Sequence, residues 1–175
     1  MNIDNIKKQI ADSAGNALYT YVAHWIIVNR LKKWLAVIKI TQIVLTIIST
    51  GGFLTLILSK WPWVSWIGAF SSAFSLGINL YLLHFNMPNN IKSHTDAANE
   101  LWDVREAYKS LLVDFDDLSL DQIRTKRDTL TARVSEINKK YPGTNNKTFA
   151  QAQKDINKYL FADGEAAQHL HMNKK

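Results

Sequence analysis

Two apolar runs separated by the segment Lys60-Trp61-Pro62-Trp63 constrain this chain more than any other feature. The first, Leu35 to Leu58, has 24 residues and one charge, Lys39. The second, Trp61 to Phe85, has 25 residues and only His84 as a titratable group. As helices rising about 1.5 Å per residue, each is about 36 Å long, enough to cross a hydrocarbon core of about 30 Å. A buried hairpin in a water-soluble protein would need an apolar shell that the rest of the sequence cannot supply. The runs therefore predict two membrane-spanning helices, residues 35–58 and 61–85, and the segment between them is the tip of a hairpin.

Side chains around the runs fit this arrangement. Pro62 stands near the start of a helix, where its missing N–H costs nothing. Trp61, Trp63 and Trp66 suit the water–lipid boundary at the tip, and Trp34, Tyr81 and Phe85 the opposite boundary. Lys39 lies close enough to the end of its run to snorkel. Arg30, Lys32 and Lys33 precede the first crossing, whereas the tip carries only Lys60, so the positive-inside rule predicts both termini in the cytoplasm. No secretory signal is expected, because the apolar run begins too late, is too long for an h-region and has no small-residue cleavage pattern after it.

Average properties conceal this division. The chain is 21% charged with a mean hydropathy of −0.14, values typical of soluble proteins. Ile40 to Phe85 nevertheless contains no acidic residue and one basic residue. Residues 91–175 carry 14 Lys/Arg and 13 Asp/Glu, and residues 1–39 six against two. The net charge of +6 thus gathers before the membrane, and the large polar segment is nearly balanced, so nucleic acid is not an expected partner. No cysteine is present, which excludes disulfides, a thiol nucleophile and thiolate metal sites.

Within the crossings the polar residues form stripes. Lys39, Gln42, Thr46, Ser49 and Thr50 fall within an arc of about 100° on the first helix. Ser65, Gly68, Ser72, Ser75 and Asn79 follow spacings of 3, 4, 3 and 4 on the second, and Gly68 with Ser72 makes a small-xxx-small pair. Such stripes either pack the two helices together, with Gln42 and Asn79 hydrogen-bonded across the hairpin, or line a water-filled path when several copies assemble. Two helices cannot enclose a pore alone, so the second reading requires an oligomer. Gly51-Gly52 has neither a preceding strand nor a following Lys-Ser/Thr pair, and reads as a closely packed helix point rather than a phosphate loop.

Outside the crossings the pattern is helical throughout. The whole reads as an all-α membrane protein, with a two-helix transmembrane hairpin and a cytoplasmic helical bundle. Residues 1–34 form an amphipathic helix on Ile6, Ile10, Ala17, Tyr21, Val28 and Leu31, with Asp4 as its cap. Residues 35–85 form the hairpin, and Asn86-Met87-Pro88-Asn89-Asn90 breaks the second crossing. The helical region is 91–161. There Leu101, Val104, Tyr108, Leu111, Phe115 and Leu118 form a heptad-like seam, with Trp102 off it and meeting a second neighbour or a partner. Ser119 and Gln122 make a capping box. A second seam is Ile123, Leu130, Val134, Ile137 and Tyr141, ended by Pro142-Gly143. A third helix is expected near 148–161 on Phe149, Ala152, Ile156 and Leu160, and residues 162–175 form a flexible polar tail.

No catalytic, cofactor or metal residues are expected, and the chain does not read as an enzyme. His24, His84 and His94 are isolated and read as solvated or interfacial, and His169 and His171 lack a carboxylate to complete a site. Asp114, Asp116 and Asp117 lack the glycine and terminal glutamate of a calcium loop.

The stretches NALYTYVAHWIIVNRLKKWL, STGGFLTLIL, SAFSLGINLYLLHFN and HTDAANELWDVREAYKSLLVDFDDL together resemble the SLATT family over residues 15–142. These are bacterial two-transmembrane effectors found with nucleotide-second-messenger synthases, SLOG sensors and, in some branches, reverse transcriptases. The resemblance implies an effector of antiphage systems that assembles in the inner membrane and permeabilises it when a sensor signals infection. By position, Tyr19, Tyr21, Arg30, Trp34, Asn79, Tyr81, Asn99, Glu100, Trp102, Arg105, Tyr108 and Asp114 are the family-like residues, and the family offers no catalytic set to transfer. Partners then expected are the lipid bilayer, further copies of the chain and a sensor or signalling protein, with Trp102 and Arg105 as cytoplasmic contacts. No fused nucleotide-binding domain is recognisable, which leaves direct activation by a nucleotide second messenger open. A non-conducting, membrane-anchored helical module that recruits a partner is the alternative. Composition and periodicity leave the two near parity, and the resemblance favours the first.

Overall fold

The structure is a computed structural model that describes residues 3–58 and 63–160, without the side chains of 52–58, 64, 65, 83 and 157–160. Among the described residues there are five α-helices, one 3₁₀ turn and no strand: α1 (Ile3–Leu58), α2 (Trp63–Phe85), α3 (Met87–Val113), the turn Phe115–Asp117, α4 (Leu120–Lys140) and α5 (Asn146–Leu160). Their contacts group into two units, Asn29–Ile91 and the combination of Met1–Val28 with Lys92–Lys175.

Helix α1 runs unbroken from the N-terminal amphipathic stretch into the first apolar run. Its length has a plain cause: the three prolines stand at positions 62, 88 and 142, outside its bounds, so nothing removes a ladder hydrogen bond along it. Only Asn86 separates α2 from α3, in the left-handed region at φ 40°, a conformation asparagine tolerates better than most residues. Its N–H donates to the Leu82 carbonyl at 3.1 Å, and its carbonyl accepts from Asn89 N–H at 3.0 Å. One residue thus ends one helix and opens the next. Pro88 then falls in the first turn of α3, where no partner for its nitrogen is needed.

In the unit of residues 29–91, α2 packs antiparallel to the second half of α1 through hydrogen bonds at Gln42–Asn79 and Ser49–Ser72. Much of the surface of the described residues there is apolar and open: Ile40, Ile43, Ile47, Phe70, Phe74, Leu76 and Leu80 are all 58–70% exposed. Two helices are long and apolar enough to span a membrane, and none of the apolar window in the first and 6% of that in the second is buried. A core helix of a water-soluble protein would bury such a window, and patches of this size in water invite association. The unit is a membrane hairpin.

The other unit is a helical bundle. Ile6, Ile10 and Ala14 of α1 meet Leu101, Val104, Tyr108 and Leu111 of α3, Phe115, and Ile123 and Ile137 of α4. A second cluster joins Val22, Ala23 and Ile26 of α1 to Ala152 and Ile156 of α5. The capping box that opens α4 is present: Ser119 N–H donates to Gln122 Oε1 at 2.9 Å and Gln122 N–H to Ser119 Oγ at 3.4 Å. Helix α5 begins two residues before the expected start, because the Asn145 carboxamide oxygen accepts from both Thr148 N–H (2.8 Å) and Thr148 Oγ1 (2.7 Å). The expected end at Phe161 and the tail 162–175, with His169 and His171, lie outside the described residues.

Candidate functional site

The hairpin seam brings the two polar stripes together. Gln42 Nε2 donates to Asn79 Oδ1 at 2.7 Å, and the Ser49 and Ser72 hydroxyls meet at 2.5 Å. The two contacts are spaced two helical turns apart on both helices, as antiparallel packing in one register requires. Threonines behave differently. Thr46 Oγ1 donates to the Gln42 carbonyl at 2.8 Å and Thr50 Oγ1 to the Thr46 carbonyl at 2.9 Å. A threonine in a helix can satisfy its hydroxyl one turn back and needs no neighbour. Gly68 is buried and Ser75 half-buried, while Ser71, which the stripe leaves out, is also buried. The side chain of Ser65 lies outside the described residues.

Lys39, Gln42, Ile43, Thr46 and Ile47 share an open face of α1 beside the seam contact of Gln42. An apolar groove of about 750 Å³ lies between the two helices among Trp34, Ile38, Phe70, Ala73, Phe74, Gly77, Ile78 and Tyr81. The boundary residues stand outward: Trp34, Trp63 and Trp66 are 54–67% exposed, and Arg30, Lys32 and Lys33 are exposed. Lys60 and Trp61 lie outside the described residues.

In the bundle, Trp102 finds its second neighbour on α1. Its ring lies 5.1 Å from that of Tyr21, and the Arg105 guanidinium stacks 4.8 Å above it, a cation–π contact. Arg105 also pairs with Glu106. Nearby, Glu100 gathers three donors from α4 and its cap: Arg133 Nη2 at 2.7 Å, Lys140 Nζ at 2.7 Å and the Tyr141 hydroxyl at 2.6 Å. The Lys140 and Tyr141 hydrogen bonds hold the Glu100 carboxyl below its ordinary range, and the same contact with Glu100 raises Lys140. The acidic group Asp114, Asp116 and Asp117 forms the turn between α3 and the capped α4. No cluster of three metal-ligating residues occurs among the described residues.

One pair corrects the sequence reading. His24 and His94, expected to be isolated and solvated or interfacial, are 3% and 7% exposed, and their Nδ1 atoms lie 2.8 Å apart. One ring donates and the other accepts, and burial favours the neutral forms. Burial, and secondly His94, push His24 down to about 4; burial lowers His94 too. A signal was available: His24 falls on the apolar stripe between Tyr21 and Val28, and His94 lies one heptad before Leu101.

Comparison with curated proteins finds no match, and comparison with solved structures finds none either. Among protein families, residues 6–164 match the SMODS and SLOG-associating 2TM effector domain family 4, a span that takes in the hairpin and most of the bundle. With its two open apolar helices, joined by a polar seam and followed by a helical bundle, the chain belongs to this SLATT family of two-transmembrane effector domains and is a membrane effector of conflict systems.

Proposed function

We propose that the chain is the membrane effector of a bacterial antiphage system. Several copies assemble in the inner membrane with both termini in the cytoplasm. On an infection signal the hairpins open a permeation path, and loss of the membrane barrier kills the host before the phage spreads. The observation that carries this reading is the gathering of hydrogen-bonding side chains on one seam, Gln42, Asn79, Ser49 and Ser72, of a hairpin with a largely apolar exposed surface. Groups that bond across the seam in a closed packing can face water in an open one. A signal then needs only to shift the balance between two packings of the same faces. The bundle, with the Trp102–Arg105 surface, is where a sensor partner would act.

Dye and ion release from liposomes holding this chain alone, beside the Asn79→Leu variant, tests the proposal. Release by the parent that the variant suppresses supports a pore with Asn79 in its wall. An inserted variant that releases as fast as the parent refutes the wall assignment. Because the seam groups are satisfied within one hairpin, a non-conducting anchor that recruits a partner is the second reading. Intact liposomes around inserted parent chain would mean either that a missing signal holds the hairpins closed or that the chain is only such an anchor.

A further inference from the structure

The hairpin unit, residues 29–91, contains Arg30, Lys32, Lys33, Lys39 and Lys60 and not one aspartate or glutamate. The only charge inside the first apolar run is Lys39. It is exposed and shares an open face of α1 with Gln42 and Thr46, one turn before the Gln42–Asn79 contact. Five residues separate it from Trp34, which places it about 7–8 Å deeper along the helix. A charge at that depth is costly in lipid, so the lysine either snorkels to the headgroups or meets water or a partner. The hairpin itself offers no carboxylate to neutralise it.

We propose that the permeation path selects anions over cations, with Lys39 as its selectivity-determining residue. The inference rests on the pore reading and names what such a pore passes. Each copy added to an assembly brings one Lys39 to the same depth, and the copies together form a ring. Rings of lysine or arginine favour anions, as rings of carboxylates favour cations. Arg30, Lys32 and Lys33, exposed at the end of the same helix segment, add their charge at the mouth. A confined path lined by one sign of charge concentrates the opposite ion by about tenfold or more.

The test is the reversal potential of the full chain in a planar neutral-lipid bilayer under a potassium chloride gradient. The expected chloride-to-potassium permeability ratio is about ten. In the Lys39→Gln variant the ratio should fall several-fold toward unity, in Lys39→Glu it should invert, and in Lys39→Arg it should persist. A parent channel that is non-selective or prefers potassium overturns the inference while leaving the pore. A ratio unchanged in Lys39→Gln overturns the role of Lys39 and places its ammonium at the lipid headgroups. Inserted parent chain that passes no current overturns a pore that this chain opens by itself, and the selectivity inferred for it.

Discussion

Mild acid should loosen the helical bundle at the point where α1 meets α3, because His24 and His94 are buried there with their Nδ1 atoms 2.8 Å apart. One proton can be shared between the rings; a second puts two N–H groups and two charges against each other. For His24 the ordinary value of 6.5 falls to about 4. The unfolded chain therefore binds more protons than the folded one between these two values. Stability is fully present above about pH 6.5, declines as pH falls toward about 4, and has nothing more to lose from this group below that. The shift sets a ceiling of about 3 kcal/mol, and at pH 5 the loss works out at about 2 kcal/mol. Measured against about 5–15 kcal/mol for a whole domain, that is a large fraction.

Amide hydrogen exchange of α1 and α3, corrected for the intrinsic pH dependence, reads this directly. Where exchange proceeds through opening of this contact, protection should drop about thirtyfold between pH 7.5 and pH 5. Replacing both rings, His24→Leu with His94→Leu, should abolish that drop. Equal protection at the two pH values would refute the reasoning. So would a drop of the same size in the double variant, since the loss would then belong to other groups.

Two further outcomes follow from the bundle. Leu101→Ala removes a side chain that is 0% exposed in the main core, and should cost about 2–5 kcal/mol in thermal or denaturant unfolding, with the hairpin still inserting. Glu100→Gln keeps the volume but removes the charge that Arg133 and Lys140 address. It should lower the melting temperature slightly at low salt and less at high salt. Because the Glu100 carboxyl is held low, its contribution is present above the unfolded carboxylate range and is lost only as pH falls through its own lower value. That places it below most of the histidine window, so an acid titration separates the two.

What could be read from the sequence was local or strongly periodic. The capping box at Ser119 and Gln122 needs only four residues, and the seams Leu101–Phe115 and Ile123–Ile137 need only a helical repeat. The two apolar runs were legible because a hydrocarbon core tolerates so few charges over about 20 residues. The readings that failed or stayed open depend on partners distant in the chain. Position 24 reads as an interfacial histidine until α3 brings His94 against it from 70 residues away. Glu100 looks like one more surface charge before Arg133, Lys140 and Tyr141 arrive from α4 and its cap. The start of α3 was hidden differently: Pro88 signals both a helix end and a helix beginning, and here it serves the second role just after Asn86 serves the first.

The spacing of the seam contacts has a mechanical consequence. A plate held by one pin can swivel, whereas one held by two cannot. Gln42–Asn79 and Ser49–Ser72 are two such pins, set two turns apart on both α1 and α2, so together they fix the sliding offset of the helices and the angle at which they cross. Losing either contact leaves α2 attached but free to pivot about the other. Losing both removes the two fixed points together. Asn79→Leu is thus a pivot about Ser49–Ser72, and its combination with Ser72→Ala removes both of these contacts.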